Sequence, residues 1–196
     1  MHAYRKLTVN QDLWKRQWLN ESEYPFVWEL TANLRNTEPI ARKVSQAIHE
    51  ALGRLGAPGP EPVWHLVNEL PIRPGHIIEA VEILIENGFG PNNLVVLCVS
   101  ASLASQLRTY TVGPFSFGRW GSRGIPVETI HRFKGLESEA VVVVLGCPED
   151  QQVDIVAYVG MSRARSMLVV TGSKQDQSQI HWLSGSSEVK ISTSPC

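Results

Sequence analysis

Ala140-Val141-Val142-Val143-Val144-Leu145 is an uninterrupted apolar run with no polar face. A strand that is apolar on both sides belongs in the interior of a parallel sheet, where helices cover each face. Leu94-Val95-Val96-Leu97-Cys98-Val99 repeats the pattern. Two such strands, set among helical periodicities, predict an α/β domain with a mainly parallel sheet and helices on both faces.

Working outward from these runs, the chain alternates. Val27-Trp28-Glu29-Leu30 reads as a short strand and Asn33-Leu34-Arg35-Asn36 as a polar turn. Thr37 suits an N-cap, Pro39 a first helical turn, and Ile40, Val44, Ile48 and Leu52 recur at helical spacing up to Gly53. After a Gly/Pro-rich loop at 56–62, Val63 to Val67 suits a strand. A second helix carries Ile77, Ile78, Val81, Leu84 and Ile85 and closes at Asn87-Gly88. A short helix is expected around Ser102 to Arg108, followed by an irregular segment at 109–124. Ile125 to Ile130 reads as a strand, Val153 to Arg165 as a helix, and Met167 to Thr171 as the last strand. Ligands of open parallel sheets collect at the carboxyl ends of the strands. Trp14 and Trp18 are four apart and suit one side of a short helix.

The 196 residues suffice for one sizeable core, and a net charge of −1 excludes a uniformly basic nucleic-acid binder. Any nucleic-acid contact must come from a local patch. Cys98, Cys147 and Cys196 have no paired spacing for zinc or redox chemistry, and the histidines show no metal-ligand pattern. With no signal peptide and no membrane-length apolar run, the expected location is the cytoplasm.

The chemistry-bearing residues precede the last strands. Thr129 and His131 alternate about Ile130, so both face one side of a strand end, where a hydroxyl and an imidazole can meet a nucleic-acid backbone or base. Taken alone, each is better explained as an ordinary residue, Thr129 of a strand and His131 of a loop. Lys134-Gly135 reads as a turn and Glu137 as a first-turn helix acid. Arg163 and Arg165 suit a helix C-terminus, whose dipole favours cations; spacing alone favours that reading for Arg165 and leaves Arg163 balanced. Arg35 is balanced between a turn residue with a surface ion pair and a phosphate ligand. Phe115, Phe117 and Trp120 can offer a base-stacking platform, but aromatics at strand spacing are read as core. The phosphate-cradling P-loop and the dinucleotide glycine fingerprint are absent from these residues, and no hydrolase triad assembles around Ser162.

Taken together the segments are more specific. Thr129-x-His131-x-x-Lys134-Gly135-Leu136-Glu137 before a Val-rich strand resembles motif V of the UvrD/Rep-type superfamily 1 DNA helicases. Ala157-Tyr158-Val159-Gly160-Met161-Ser162-Arg163-Ala164-Arg165 before a strand resembles their motif VI, and Asn33-Leu34-Arg35-Asn36-Thr37 their motif IV. The resemblance spans roughly residues 26–173. It implies the second, C-terminal RecA-like domain of an ATP-dependent helicase or translocase. Arg35 and Arg163 would then reach the γ-phosphate of ATP as arginine fingers. Glu137 and Gly135 would lie at the nucleotide, with Gly135 also allowing close backbone approach. Thr129 and His131 would contact single-stranded DNA. Mg²⁺ would be held by the first RecA-like domain, which these residues do not include.

On this reading residues 1–25 are a segment from that first domain, 26–175 the RecA-like domain and 176–196 a polar tail. The chain would be an excised piece or a truncated gene product, inactive alone. Leu34 replaces the usual motif IV aromatic, which puts adenine stacking there in doubt. Too few residues separate motifs IV and V for the large helical insertion of many relatives. The competing reading is a non-catalytic nucleic-acid-binding or regulatory module with a helicase-like fold. Retention of both Arg35 and Arg163 favours the motor.

Overall fold

Alternating strands and helices assemble into one seven-stranded sheet in the computed structural model, which describes residues 35–48, 56–146 and 152–182. In chain order the elements are α1 (Glu38–Ile48), β1 (Val63–Leu66), α2 (Pro74–Glu86), β2 (Leu94–Cys98), α3 (Ala101–Leu107), β3 (Thr111–Val112), β4 (Phe115–Gly118), β5 (Ile125–Thr129), β6 (Ser138–Val144), α4 (Val153–Met161), β7 (Ala164–Gly172) and α5 (Lys174–Gln179). The strands lie in the order β1-β7-β6-β2-β5-β4-β3, parallel throughout except for the β3–β4 pair.

The doubly apolar strands are central, as their sequence demands. Ala140, Val142 and Val144 of β6 and Leu94, Val96 and Cys98 of β2 point into one core, with Ile77, Val81 and Leu84 of α2. Val141, Val143, Val95 and Leu97 point into the other, with Ile40 and Val44 of α1 and Val156, Ala157 and Met161 of α4. The period of two along each strand thus divides its side chains between two helical layers.

Local signals fix the ends of α2. Pro74 opens it, and Gly88, at φ +86°, closes it. Phe89 N–H bonds Leu84 C=O at 3.1 Å and Gly88 N–H bonds Ile85 C=O at 2.9 Å, the paired bonds of a Schellman cap. Segment 109–124 is more regular than expected. It forms the β3–β4 hairpin across Gly113-Pro114, with Gly113 at φ +52°, and β4 then adds to β5 in parallel. Glycine at the first position of a two-residue loop is what a type II′ turn needs.

Three further boundaries differ from expectation. The helix over 153–165 ends at Met161, and β7 starts already at Ala164, where it pairs with Ser138. Glu137 therefore precedes a strand rather than starting a helix. Within the polar tail expected from residue 176 the chain is structured up to Trp182: Ser173 and Asp176 form a reciprocal cap on α5, and Ile180 and Trp182 are buried in the core. The strand at 27–30, the tryptophans at 14 and 18, the close of the first helix at 52–53, Cys147, Cys196 and residues 183–196 lie outside the described residues.

Candidate nucleotide and strand-contact sites

The amino ends of β6 and β7 gather the residues flagged in the three motif-like segments. Arg35 Nε lies 3.3 Å from Glu137 Oε2, and Arg165 Nε lies 3.8 Å from Glu137 Oε1. Arg165 Nη1 also reaches Glu139 Oε1 at 3.0 Å, and Ser166 Oγ donates to Glu139 Oε2 at 2.5 Å. Arg163 Nε donates to Val159 C=O at 3.0 Å and its Nη1 to Leu136 C=O at 3.5 Å. Asn36 docks the turn: its side-chain amide donates to the carbonyls of Ser162 and Ala164, and Thr37 N–H donates to Arg165 C=O at 3.0 Å. Arg35, Glu137 and Arg163 are thus neighbours although far apart in sequence.

Their location corrects one expectation. These groups sit at the amino edge of the parallel strands, not at the carboxyl edge where such sheets usually bind ligands. Arg165, which spacing assigned to a helix C-terminus, lies in β7 and pairs with two carboxylates. Arg163 does return to a helix carbonyl, that of Val159, so the dipole reading describes part of its role. With 53% and 45% of their side chains exposed, Arg35 and Glu137 form a pair worth about 0–1 kcal/mol, readily exchanged for a stronger anion.

Thr129 and His131 lie at the other edge. Thr129 pairs with Cys98, which is level with Val144, the far end of β6 from Ser138. At the usual rise of a parallel strand that separation is roughly 20 Å. The crossing from 130 to 137 spans it, pinned by the fully buried Phe133. Phe133 N–H bonds Thr129 C=O and Leu136 N–H bonds Phe133 C=O, each at 3.1 Å. Thr129 Oγ1 accepts from Arg132 N–H at 3.3 Å, and His131 is exposed. Gly135 turns the chain at φ +87°, and a Cβ there would meet open space. The left-handed turn alone accounts for glycine at this position.

Beside Thr129 lies a feature that spacing did not reveal. Glu128 is 3% exposed, and its Oε1 accepts Trp120 N–H at 3.0 Å. Its Oε2 lies 3.5 Å from both Arg108 Nη2 and Arg132 Nε. Arg108 also donates to Val127 C=O, from Nε at 3.1 Å. A pocket of about 220 Å³ opens here, lined among others by Ser105, Arg108, Arg119, Glu128, Thr129 and Arg132. Of the aromatics expected in the core, Phe117 is buried, but Trp120 is 48% exposed and makes a T-shaped contact with Phe133, centroids 4.9 Å apart. The signal available in sequence was a carboxylate inside an apolar strand, flanked at a distance by unassigned arginines.

Cys98 behaves as a core residue. Burial pushes its thiol up to about 12, against a smaller opposing effect of Arg108. Among the described residues no His/Cys/Asp/Glu cluster could hold a metal ion, and no helix is long and apolar enough to cross a membrane.

No family model matches the chain, and comparison with curated proteins returns no match. Among solved structures, the chain is similar to the C-terminal domain of a possible DNA helicase from Lactobacillus plantarum WCFS1. That match has a TM-score of 0.55 at 16% identity, over 72% of this chain and 88% of that one. An arterivirus nonstructural protein 10 (helicase) solved with DNA gives TM-score 0.43 at 13% identity, over 78% of this chain and 28% of that one. A second crystal structure of the arterivirus nonstructural protein 10 (helicase) gives TM-score 0.44 at 15% identity, over 88% of this chain and 31% of that one. Both arterivirus likenesses are too distant to carry weight, and this chain spans under a third of those proteins. The first likeness, together with the mostly parallel seven-stranded sheet, gives the chain the mixed α/β fold of helicase RecA-like domains.

Proposed function

We propose that residues 26–175 are the second motor domain of an ATP-dependent DNA helicase or translocase of the UvrD/Rep type. The observation that carries the proposal is the meeting of Arg35, Glu137 and Arg163 at one edge, joined through Asn36 and the Leu136 carbonyl. A first RecA-like domain would supply the phosphate cradle and the acids that hold Mg²⁺. ATP would then lie between that domain and this edge.

In the closed state Arg35 exchanges its weak pair with Glu137 for the γ-phosphate, and Arg163 meets the charge that develops on the transferring group. A guanidinium so placed accelerates phosphoryl transfer by on the order of 10³–10⁵. Glu137 is left to accept a hydrogen bond from the ribose, beside the open turn at Gly135. Thr129 and His131, at the opposite edge, contact the single strand. Closure and reopening of the cleft would move the strand in steps.

In the complete protein Arg163→Ala is expected to lower DNA-stimulated ATP hydrolysis by at least about 10³ while leaving the circular dichroism spectrum unchanged. Near-normal turnover would sink the motor reading and favour a non-catalytic binding module. The chain by itself is expected to hydrolyse no ATP.

A further inference from the structure

The pocket beside Thr129 holds more positive charge than its buried carboxylate can balance. Arg108, Arg119 and Arg132 line it together with Glu128, so three arginines share the pocket with one carboxylate. Arg108 and Arg132 pair with it, whereas the Arg119 side chain makes no ion pair or hydrogen bond with another described residue. The chain as a whole carries a net charge of −1, so this is a local concentration of charge. At about 220 Å³ the pocket is small for a nucleotide or cofactor, whose sites run to roughly 300–1,000 Å³. It suits one phosphate group.

The residue next to Arg119 supplies a second, different contact. Trp120 is held at its backbone by Glu128 Oε1 and packs T-shaped against Phe133, with an interplanar angle of 78°. With 48% of the residue exposed, much of Trp120 stays open beside the pocket. A cationic pocket next to an aromatic face matches the alternating charge and flat base of a single strand. A phosphopeptide would use the arginines but leave the indole idle.

We propose that this pocket holds one phosphodiester group of a single strand while the Trp120 ring stacks on an adjacent base. Glu128 acts as a positioning residue: it aims Arg108 and Arg132 and fixes the backbone that carries Trp120. The proposal rests on the reading that the carboxyl edge, with Thr129 and His131, meets a single strand. It adds a phosphate contact and a base contact outside the motif-like segments.

The test is fluorescence anisotropy of the chain with a short labelled oligothymidylate and with an abasic strand of the same length, across a salt series. Trp120→Ala should weaken oligothymidylate binding by about tenfold and leave abasic binding unchanged, with Trp120→Tyr restoring most of the loss. Arg119→Ala should weaken both strands and reduce the steepness of the log–log salt dependence by about 0.7, the share of one phosphate; Arg119→Lys should recover the slope. Equal loss on both strands in Trp120→Ala, or no loss, overturns the stacking. An unchanged slope in Arg119→Ala overturns the phosphate contact. Saturable binding of inorganic phosphate that Arg119→Ala abolishes, with strand binding intact, identifies a free-anion site and also overturns it. If Thr129→Ala and His131→Ala weaken binding while the Trp120 and Arg119 variants do not, the pocket fails and the strand-contact reading stands. If the unaltered chain binds no oligothymidylate at low salt, both fail.

Discussion

Replacing Glu128 by alanine removes the group on which the carboxyl-edge pocket is built, and the cost can be worked contact by contact. Oε1 accepts the Trp120 backbone N–H at 3.0 Å; a hydrogen bond to a charged group contributes about 1.5–3 kcal/mol. Oε2 meets Arg108 and Arg132, each at 3.5 Å. The Arg108 side chain is only 16% exposed, so its contact is worth another 1–2 kcal/mol or so; Arg132, at 65%, adds about 0–1. Losses that share one site overlap, and water can enter an open pocket, so we expect about 3 kcal/mol in total. For a domain of this size that lowers Tm by roughly 6–12 °C. Glu128→Gln keeps an acceptor for Trp120 and loses only the charge, so it should cost about half as much. Urea unfolding reads both variants as a fall in midpoint at constant slope. A loss below about 1 kcal/mol in Glu128→Ala would refute the claim that this carboxylate organises the pocket.

Two glycines with similar backbone angles should respond differently to alanine. At Gly124, φ +92°, a Cβ would lie 2.3 Å from the Ser116 carbonyl oxygen, whereas at Gly135, φ +87°, it would meet nothing. Gly124→Ala is expected to cost about 2–4 kcal/mol and Gly135→Ala about 1–2, by the same urea assay; equal costs would show that crowding at Gly124 is relieved by backbone movement. Cys98 should resist alkylation in the folded chain and react once it unfolds, read by peptide mass spectrometry. Its raised pKa means the folded state holds the proton longer than the unfolded state. Stability should therefore fall by roughly 1.4 kcal/mol per pH unit from about pH 9 until the folded pKa is passed. A Cys98→Ala variant should lack that component.

Much of the fold was legible because burial leaves a simple imprint. β2 and β6 are covered on both sides, so their sequences admit no polar residue along the central runs, and α2 announces itself by Pro74 and Gly88. The start of β7 was hidden. Ala164-Arg165-Ser166 lies at an exposed strand end, where Arg165 and Ser166 serve carboxylates rather than a core, so the segment carries no strand signal. α5 was hidden for a related reason: Lys174-Gln175-Asp176-Gln177-Ser178-Gln179 is wholly polar, and its stability comes from the Ser173–Asp176 cap and from Ile180 and Trp182 beyond it.

At the candidate sites, local spacing indicated that Thr129 and His131 share an edge but not that Glu137 lies at the opposite one. That separation depends on the strand order, with β2 between β5 and β6. Glu128 was beyond reach in another way. Its burial is tolerable only because donors from 108, 120 and 132 converge on it, and convergence is a property of the folded chain.

The segment from Thr129 to Glu137 is, in mechanical terms, a short tie rod laid along one face of the sheet, from its carboxyl edge to its amino edge. Main-chain bonds run from Thr129 to Phe133 and from Phe133 to Leu136, and the Arg163 guanidinium grips the Leu136 carbonyl. Phe133, without exposed surface, is the bearing in the middle. A rod held this way is stiff along its length and resists sliding more than bending. A pull at Thr129 would meet the main-chain bonds at Phe133 and Leu136 before it reached the Arg163 guanidinium.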